Sequence, residues 1–229
     1  MKIGGLQKVS LIEYPGKISA VIFTQGCNFR CPYCHNPELV DPDLYGDCLG
    51  EEEIFSFLEK RRGKLEAVTV TGGEPTIQPD LAVFLRRLKG MEYLVKIDSN
   101  GSHPDILEEL LREKLVDYIA MDVKAPLGKY EKIMGTTVDC NKIKRSIDMI
   151  LASEIDHEFR TTVPRSLLEE KDLLAIGRLV KNARQYTIQK FVPSKTLNPS
   201  FLKETTYSDE EFSVLKKKLE KNIQAVVVK

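Results

Sequence analysis

Three cysteines and a histidine fall within nine residues, Cys27-Asn-Phe-Arg-Cys31-Pro-Tyr-Cys34-His35. Thiolates and an imidazole this close together have four common uses: a dithiol redox pair, a covalent haem attachment, a zinc site and an iron–sulfur cluster. Each use demands something different of the surrounding chain, so the elements around the loop decide among them.

A dithiol pair sits at a helix N-terminus, where the helix dipole lowers the thiol pKa. Cys31-Pro-Tyr-Cys34 has the dithiol sequence of glutaredoxins, and Thr161-Thr-Val-Pro164 is similar to a second element of theirs. Pro37 and Pro42 follow the cysteines, however, and forbid an uninterrupted helix there. Cys31-x-x-Cys34-His35 also spells a c-type haem attachment, which belongs mostly to exported proteins, and the opening Met-Lys-Ile-Gly-Gly-Leu-Gln-Lys has no apolar signal core. Zinc would take Cys27, Cys31, Cys34 and His35, but structural zinc usually joins two separated clusters. His35 beside Cys34 has a poor bite for the same ion, and His103 and His157 each stand alone as packing or surface residues. An iron–sulfur cluster remains, with zinc as the alternative. A four-iron cluster normally takes four thiolates; three leave one iron open, and an open metal position marks a site that binds substrate. Cys48 and Cys140 read as ordinary isolated residues.

The elements that must position this loop are legible as alternating β-branched runs and helical periods. Strands are expected over 18–24, 65–71, 93–98, 117–123, 156–163 and 185–192, with a short one possible at 224–228. Helices are expected over 51–62, 79–88, 104–114, 142–152, 169–182 and 208–222. Six βα units without a long linker imply a parallel sheet in an α/β fold. Polar residues follow or end almost every strand: Cys27, Gly73 with Glu74, Asp98, Asp122 with Lys124, then Arg160 within the fifth and Gln189 with Lys190 in the sixth. Parallel α/β folds place their sites at that edge. A site fed by all six strands suggests a curved sheet, so the expectation is a partial (β/α)6 barrel. A single domain spans 1–229, with a core over 17–200, an N-terminal extension over 1–16, and a C-terminal helix and possible strand over 201–229.

Bulk composition narrows the function. The 229 residues carry 34 Lys+Arg and 34 Asp+Glu, so no basic field argues for nucleic acid. No apolar run approaches the ~18 residues of a membrane span. A cytoplasmic, reducing setting is the expectation, and clustered cysteines there bind metal or do redox chemistry more often than they form structural disulfides.

The pattern Cys27-x3-Cys31-x2-Cys34, with Tyr33 before the last cysteine, resembles the signature of the radical S-adenosylmethionine superfamily. Gly72-Gly73-Glu74-Pro75 after the second strand resembles that superfamily's second motif, in the expected order. The segment Gly4 to Lys17, running into Phe-Thr-Gln-Gly-Cys27, is similar to activating proteins of anaerobic ribonucleoside-triphosphate reductases, and more distantly to pyruvate formate-lyase activating enzymes. The resemblance implies a [4Fe–4S] cluster on Cys27, Cys31 and Cys34, with S-adenosylmethionine on the open iron. Reductive cleavage would give a 5′-deoxyadenosyl radical that takes hydrogen from a glycine of a glycyl-radical enzyme, with a flavodoxin or ferredoxin as electron donor. It also implies cofactor contacts from Tyr33, Cys34 and His35, and from Gly72, Gly73, Glu74 and Pro75. In that segment the Glu74 side chain or nearby backbone would accept from the methionine amino group. Asp98 and Asn100 of Asp98-Ser-Asn-Gly101 would lie beside the ligand. Lys124 would meet a carboxylate, fixed by Asp122, and Arg160 matches a family arginine in the fifth strand. On the sixth strand Gln189 stands where pyruvate formate-lyase activases carry histidine.

Plainer readings stand beside these. Gly72-Gly73 could be a turn that needs positive φ, Asp122 with Lys124 a surface ion pair, and Asp98-Ser-Asn-Gly101 a capping turn. A small-molecule radical enzyme such as 7-carboxy-7-deazaguanine synthase is the rival within the superfamily, and a zinc-stabilised binding module is the rival outside it.

Overall fold

The computed structural model describes residues 1–229. Eight strands hydrogen-bond in chain order, β1 to β8: β1 Ile3–Ser10, β2 Ser19–Thr24, β3 Ala67–Gly72, β4 Leu94–Ser99, β5 Tyr118–Asp122, β6 Asp156–Val163, β7 Tyr186–Lys190 and β8 Val226–Val228. β1 runs antiparallel to β2, whereas β2–β3, β3–β4, β6–β7 and β7–β8 are parallel. A doubly wound sheet reverses its order at a switch point. This order never reverses, and β2–β7 are the six expected strands, so the class is that of the partial (β/α)6 barrel. Two strands lie outside that count: β1 forms within the expected N-terminal extension, and β8 is the short strand allowed for at the end.

The chain divides into two compact units. The first comprises Met1–Asn28, Asn36–Ser99 and Asp105–Ile119. It carries β1–β4 and the start of β5, with helices α1 Pro37–Val40, α2 Glu51–Glu59, α3 Leu81–Gly90 and most of α4 Pro104–Arg112. Its core is aliphatic, with Val21, Ile22, Val68, Val70, Val95 and Ile97 from the strands and Ile54, Leu58, Leu85 and Leu88 from α2 and α3 all fully buried. On α3 the buried set Leu81, Phe84, Leu85, Leu88 follows the i, i+3, i+4, i+7 stripe.

The second unit comprises Phe29–His35, Asn100–Pro104 and Ala120–Lys229. It holds the end of β5, strands β6–β8, and helices α5 Tyr130–Met134, α6 Cys140–Ala152, α7 Glu170–Leu179 and α8 Asp209–Leu219. Its helices start where the sequence supplies caps. Asp139 accepts from the Asn141 amide at α6, while Glu169 with Asp172 and Ser208 with Glu211 form capping boxes at α7 and α8. No helix is long and apolar enough to cross a membrane.

Candidate functional site

In the first unit, the end of β3 closes on the chain that leads into the cysteine loop. The Gly73 amide donates to the Thr24 carbonyl and the Glu74 amide to the Gly26 carbonyl, both at 2.8 Å, and the Gly26 amide reaches the Leu39 carbonyl at 2.7 Å. This approach explains the paired glycines. Gly72 has φ +108°, and a Cβ there would sit 2.6 Å from the Thr24 amide nitrogen. A Cβ on Gly73 would lie 1.9 Å from the Gly26 carbonyl oxygen. The second motif therefore grips the residues just before Cys27, which is more than a turn with positive φ requires.

Glu74 is buried, and its Oε1 accepts from the Thr76 amide, the Thr76 hydroxyl and the Ser99 hydroxyl at 3.1, 2.5 and 2.8 Å. The carboxylate thus caps the 3₁₀ turn Pro75–Ile77 and ties it to β4. Asp98 is also buried, with its Oδ1 2.5 Å from the ammonium of Lys96. Lys96 and Ser99 went unread in the sequence, although a lysine inside the run Leu-Val-Lys-Ile-Asp was a visible anomaly for a buried strand.

In the second unit, Cys31, Tyr33, Cys34 and His35 form an irregular loop. The Cys34 amide turns back to the Cys31 carbonyl at 3.0 Å, and no helix begins there. The helix N-terminus that a dithiol redox pair needs is therefore missing. Two distant segments hold this loop. From α5, the Met134 carbonyl accepts the Arg30 amide, and the Cys31 thiol donates to the Met134 sulfur at 3.3 Å. After β7, the Leu197 and Asn198 amides bond the Cys34 and Pro32 carbonyls. His35 donates from Nε2 to the Val192 carbonyl and stacks on Phe191 at 5.4 Å. Tyr33 packs edge-on to Phe191 and beside Phe201. Its buried hydroxyl has no partner, and burial, reinforced by negative charge on Cys31 and Asp122, pushes its pKa well up.

The same unit gathers Asp122, Lys124 and Arg160. Lys124 lies two residues beyond the last residue of β5, and its ammonium is 2.8 Å from Asp122 Oδ2; Arg160 Nε is 2.8 Å from Oδ1. All three are half-buried, so the group is not a surface ion pair. Burial opposes charge on Asp122, but the Arg160 guanidinium and Lys124 ammonium outweigh it and hold the carboxyl well below the usual range. Burial likewise opposes charge on Lys124, and the negative charges of Asp122 and Cys31 overcome it and raise its pKa. Tyr130, fully buried, accepts the Lys124 amide through its hydroxyl oxygen. Gln189 on β7 accepts the Thr162 hydroxyl at 3.2 Å. Asn100 makes an Asx turn, its Oδ1 taking the Ser102 amide at 3.0 Å, and Gly101 follows with φ +74°. The turn reading of this segment therefore describes Asn100, whereas Asp98 has its own buried partner.

Unit one thus carries Cys27, Gly72, Gly73, Glu74, Pro75 and Asp98. Unit two carries Cys31, Tyr33, Cys34, His35, Asn100, Asp122, Lys124, Arg160 and Gln189. Cys48 donates to Gln25 and Cys140 to the Leu127 carbonyl, as isolated cysteines do. In the second unit Cys31 and Cys34 are soft thiols in a loop pinned by backbone bonds and by the Cys31–Met134 contact, a chemistry that suits iron–sulfur ligation.

The Radical SAM superfamily matches residues 21–174, from β2 into α7, which takes in both motifs. The chain belongs to the radical SAM superfamily. As a radical SAM protein it is an enzyme of the kind that uses a [4Fe–4S] cluster and S-adenosylmethionine. A Methanocaldococcus jannaschii protein, provisionally named a glycyl-radical enzyme activating enzyme, is 37% identical over 232 residues, covering 99% of this chain and 95% of its own. The pyruvate formate-lyase-activating enzyme of Clostridium pasteurianum is 28% identical over 207 residues, 86% of this chain and 83% of that one. Among solved structures, Streptococcus suis SuiB bound to its precursor peptide SuiA superposes with a TM-score of 0.71 at 12% identity, over 91% of this chain and 48% of that one. That likeness speaks for the fold alone.

Proposed function

We propose that this radical SAM protein activates a glycyl-radical enzyme, and that its partner is an anaerobic ribonucleoside-triphosphate reductase. One observation carries the activase reading: the end-to-end likeness, 37% over 99% of the chain, to a protein named for that activity. The reductase as partner is supported by the opening segment from Gly4 to Lys17, which resembles the activating proteins of those reductases.

S-adenosylmethionine at the cluster supplies a 5′-deoxyadenosyl radical when cleaved by one electron, from a flavodoxin or ferredoxin, and that radical takes a hydrogen atom from the partner's glycine. The chain's own residues bind and orient. Cys27, Cys31 and Cys34 hold the cluster. Gly72, Gly73, Glu74 and Pro75 offer backbone to the amino group of the cofactor while gripping the foot of the cysteine loop. Lys124 meets its carboxylate, because Asp122, held by Arg160, fixes the ammonium in place. Asp98 and Asn100 would lie beside it, and Tyr33, His35 and Gln189 would add further contacts to the cofactor. Tyr33, held protonated by burial, brings a donor without a negative charge.

The test is anaerobic reconstitution with iron and sulfide, reduction with dithionite, and EPR with and without S-adenosylmethionine. The expected result is a reduced-cluster signal that changes on adding the cofactor, release of 5′-deoxyadenosine, and a glycyl-radical doublet when the reductase is added. One zinc per chain and no response to S-adenosylmethionine would refute the chemistry. Deoxyadenosine without a doublet on the reductase would refute only the partner.

A further inference from the structure

The first unit buries a lysine that the reading above leaves without a task. Lys96 is 1% exposed, among the largest fully buried side chains of the protein. It sits on β4 between Val95 and Ile97, both fully buried. In register beside it on β3 is Thr69, whose hydroxyl is buried and unpartnered. Its ammonium meets Asp98 Oδ1 at 2.5 Å and lies 5.9 Å above the ring of Tyr118. A buried ammonium is costly unless paired, and an apolar side chain of similar volume would serve the packing at least as well. The lysine has the geometry to fix its one carboxylate neighbour. Asp98 stands two residues nearer the C-terminal end of the strand and is 7% exposed, so it is the more accessible member of the pair.

We propose that Lys96 is a positioning residue for S-adenosylmethionine, acting through Asp98. Its ammonium engages one oxygen of that carboxylate and holds the group in the rotamer that meets a hydrogen-bond donor of the cofactor. The inference rests on the reading that Asp98 lies beside the cofactor.

The test is a double-mutant cycle on reconstituted enzyme: wild type, Asp98→Asn, Lys96→Met, and the two combined. The dissociation constant of S-adenosylmethionine is read by equilibrium dialysis with labelled cofactor and by the EPR change of the reduced cluster, with iron content as a control. Asp98→Asn and Lys96→Met are each expected to weaken binding roughly tenfold, and the double variant to lie within about twofold of Asp98→Asn, as for residues that act as one unit. Iron content should stay at wild type throughout. Wild-type affinity in Asp98→Asn would sink the reading of Asp98 and the inference with it. Weakened Asp98→Asn beside a wild-type Lys96→Met would overturn the inference alone. So would a double variant that binds far more weakly than Asp98→Asn. Should Lys96→Met fail to fold, the charge-free double variant against Asp98→Asn decides the matter.

Discussion

Gly73→Ala tests whether the second motif exists to hold the cysteine loop. The new Cβ would start 1.9 Å from the Gly26 carbonyl oxygen, whereas ordinary contact begins at 3.4 Å, so the two segments must part by about 1.5 Å. That separation breaks the bonds from Glu74 to Gly26 and from Gly73 to Thr24, both 2.8 Å long. At about 0.5–1.5 kcal/mol each, the two bonds together cost about 1–3 kcal/mol. For a chain of this size that is a fall in Tm of roughly 2–12 °C. Gly26 immediately precedes Cys27, so the same displacement moves the first thiolate, and iron incorporation should fall further than stability does. The assay pairs thermal unfolding with iron and sulfide content after anaerobic reconstitution. Gly90→Ala at the end of α3 is the control, since a Cβ there meets nothing within 4 Å, and helix propensity predicts a gain of up to ~1 kcal/mol. A Gly73→Ala protein with wild-type Tm and a full iron complement would refute the argument.

Other expectations concern charge and thiols. Cys27→Ser, Cys31→Ser and Cys34→Ser should each abolish the reduced-cluster EPR signal, while Cys48→Ser and Cys140→Ser should keep it. Arg160→Met removes one of two cations from half-buried Asp122 and, with Lys124 still in place, should destabilise by less than the ~3–5 kcal/mol of breaking a fully buried pair, as read by denaturant unfolding. Because the Asp122 carboxyl is depressed when folded, its stabilisation is present above the ordinary carboxylate pKa near 4 and fades as pH falls below it; Arg160→Met should flatten that acid limb. His157 is shifted the other way for a base. Burial lowers its pKa, and its Nε2 has no partner. The unfolded chain therefore binds the proton more readily, and stability should drop as pH falls through about 6.5. His157→Phe should remove that part of the Tm profile between pH 7 and 5; an unchanged profile would count against it.

Much of this protein could be read locally. The strand runs, the helical periods and the βα alternation depend on residues a few positions apart, so period and propensity report them. The three cysteines and the Gly-Gly-Glu-Pro segment were equally legible, because ligand spacing and tight turns are local demands. Pro37 and Pro42 ruled out a long helix after the cysteines, and only the four-residue α1 forms there.

What the tertiary structure alone decided is how those pieces are held. Met134 reaches Cys31 across 103 residues and Val192 reaches His35 across 157. Pairs so far apart leave no periodic trace in the chain. The antiparallel β1 was read as an extension because its run Ile-Gly-Gly-Leu-Gln-Lys-Val-Ser is polar and glycine-rich, and it becomes a strand only by pairing with β2. The Gly-Gly-Glu-Pro motif is local, but only the fold brings Glu74 Oε1 onto Thr76 and Ser99. Lys96 shows the same division: its place in the strand is plain from the sequence, but only folding removes it from water and leaves Asp98 as the sole counter-charge on it. Spacing determines which groups are available to do chemistry; which of them are paired, and therefore what they are free to do, depends on contacts that form only when the sheet assembles.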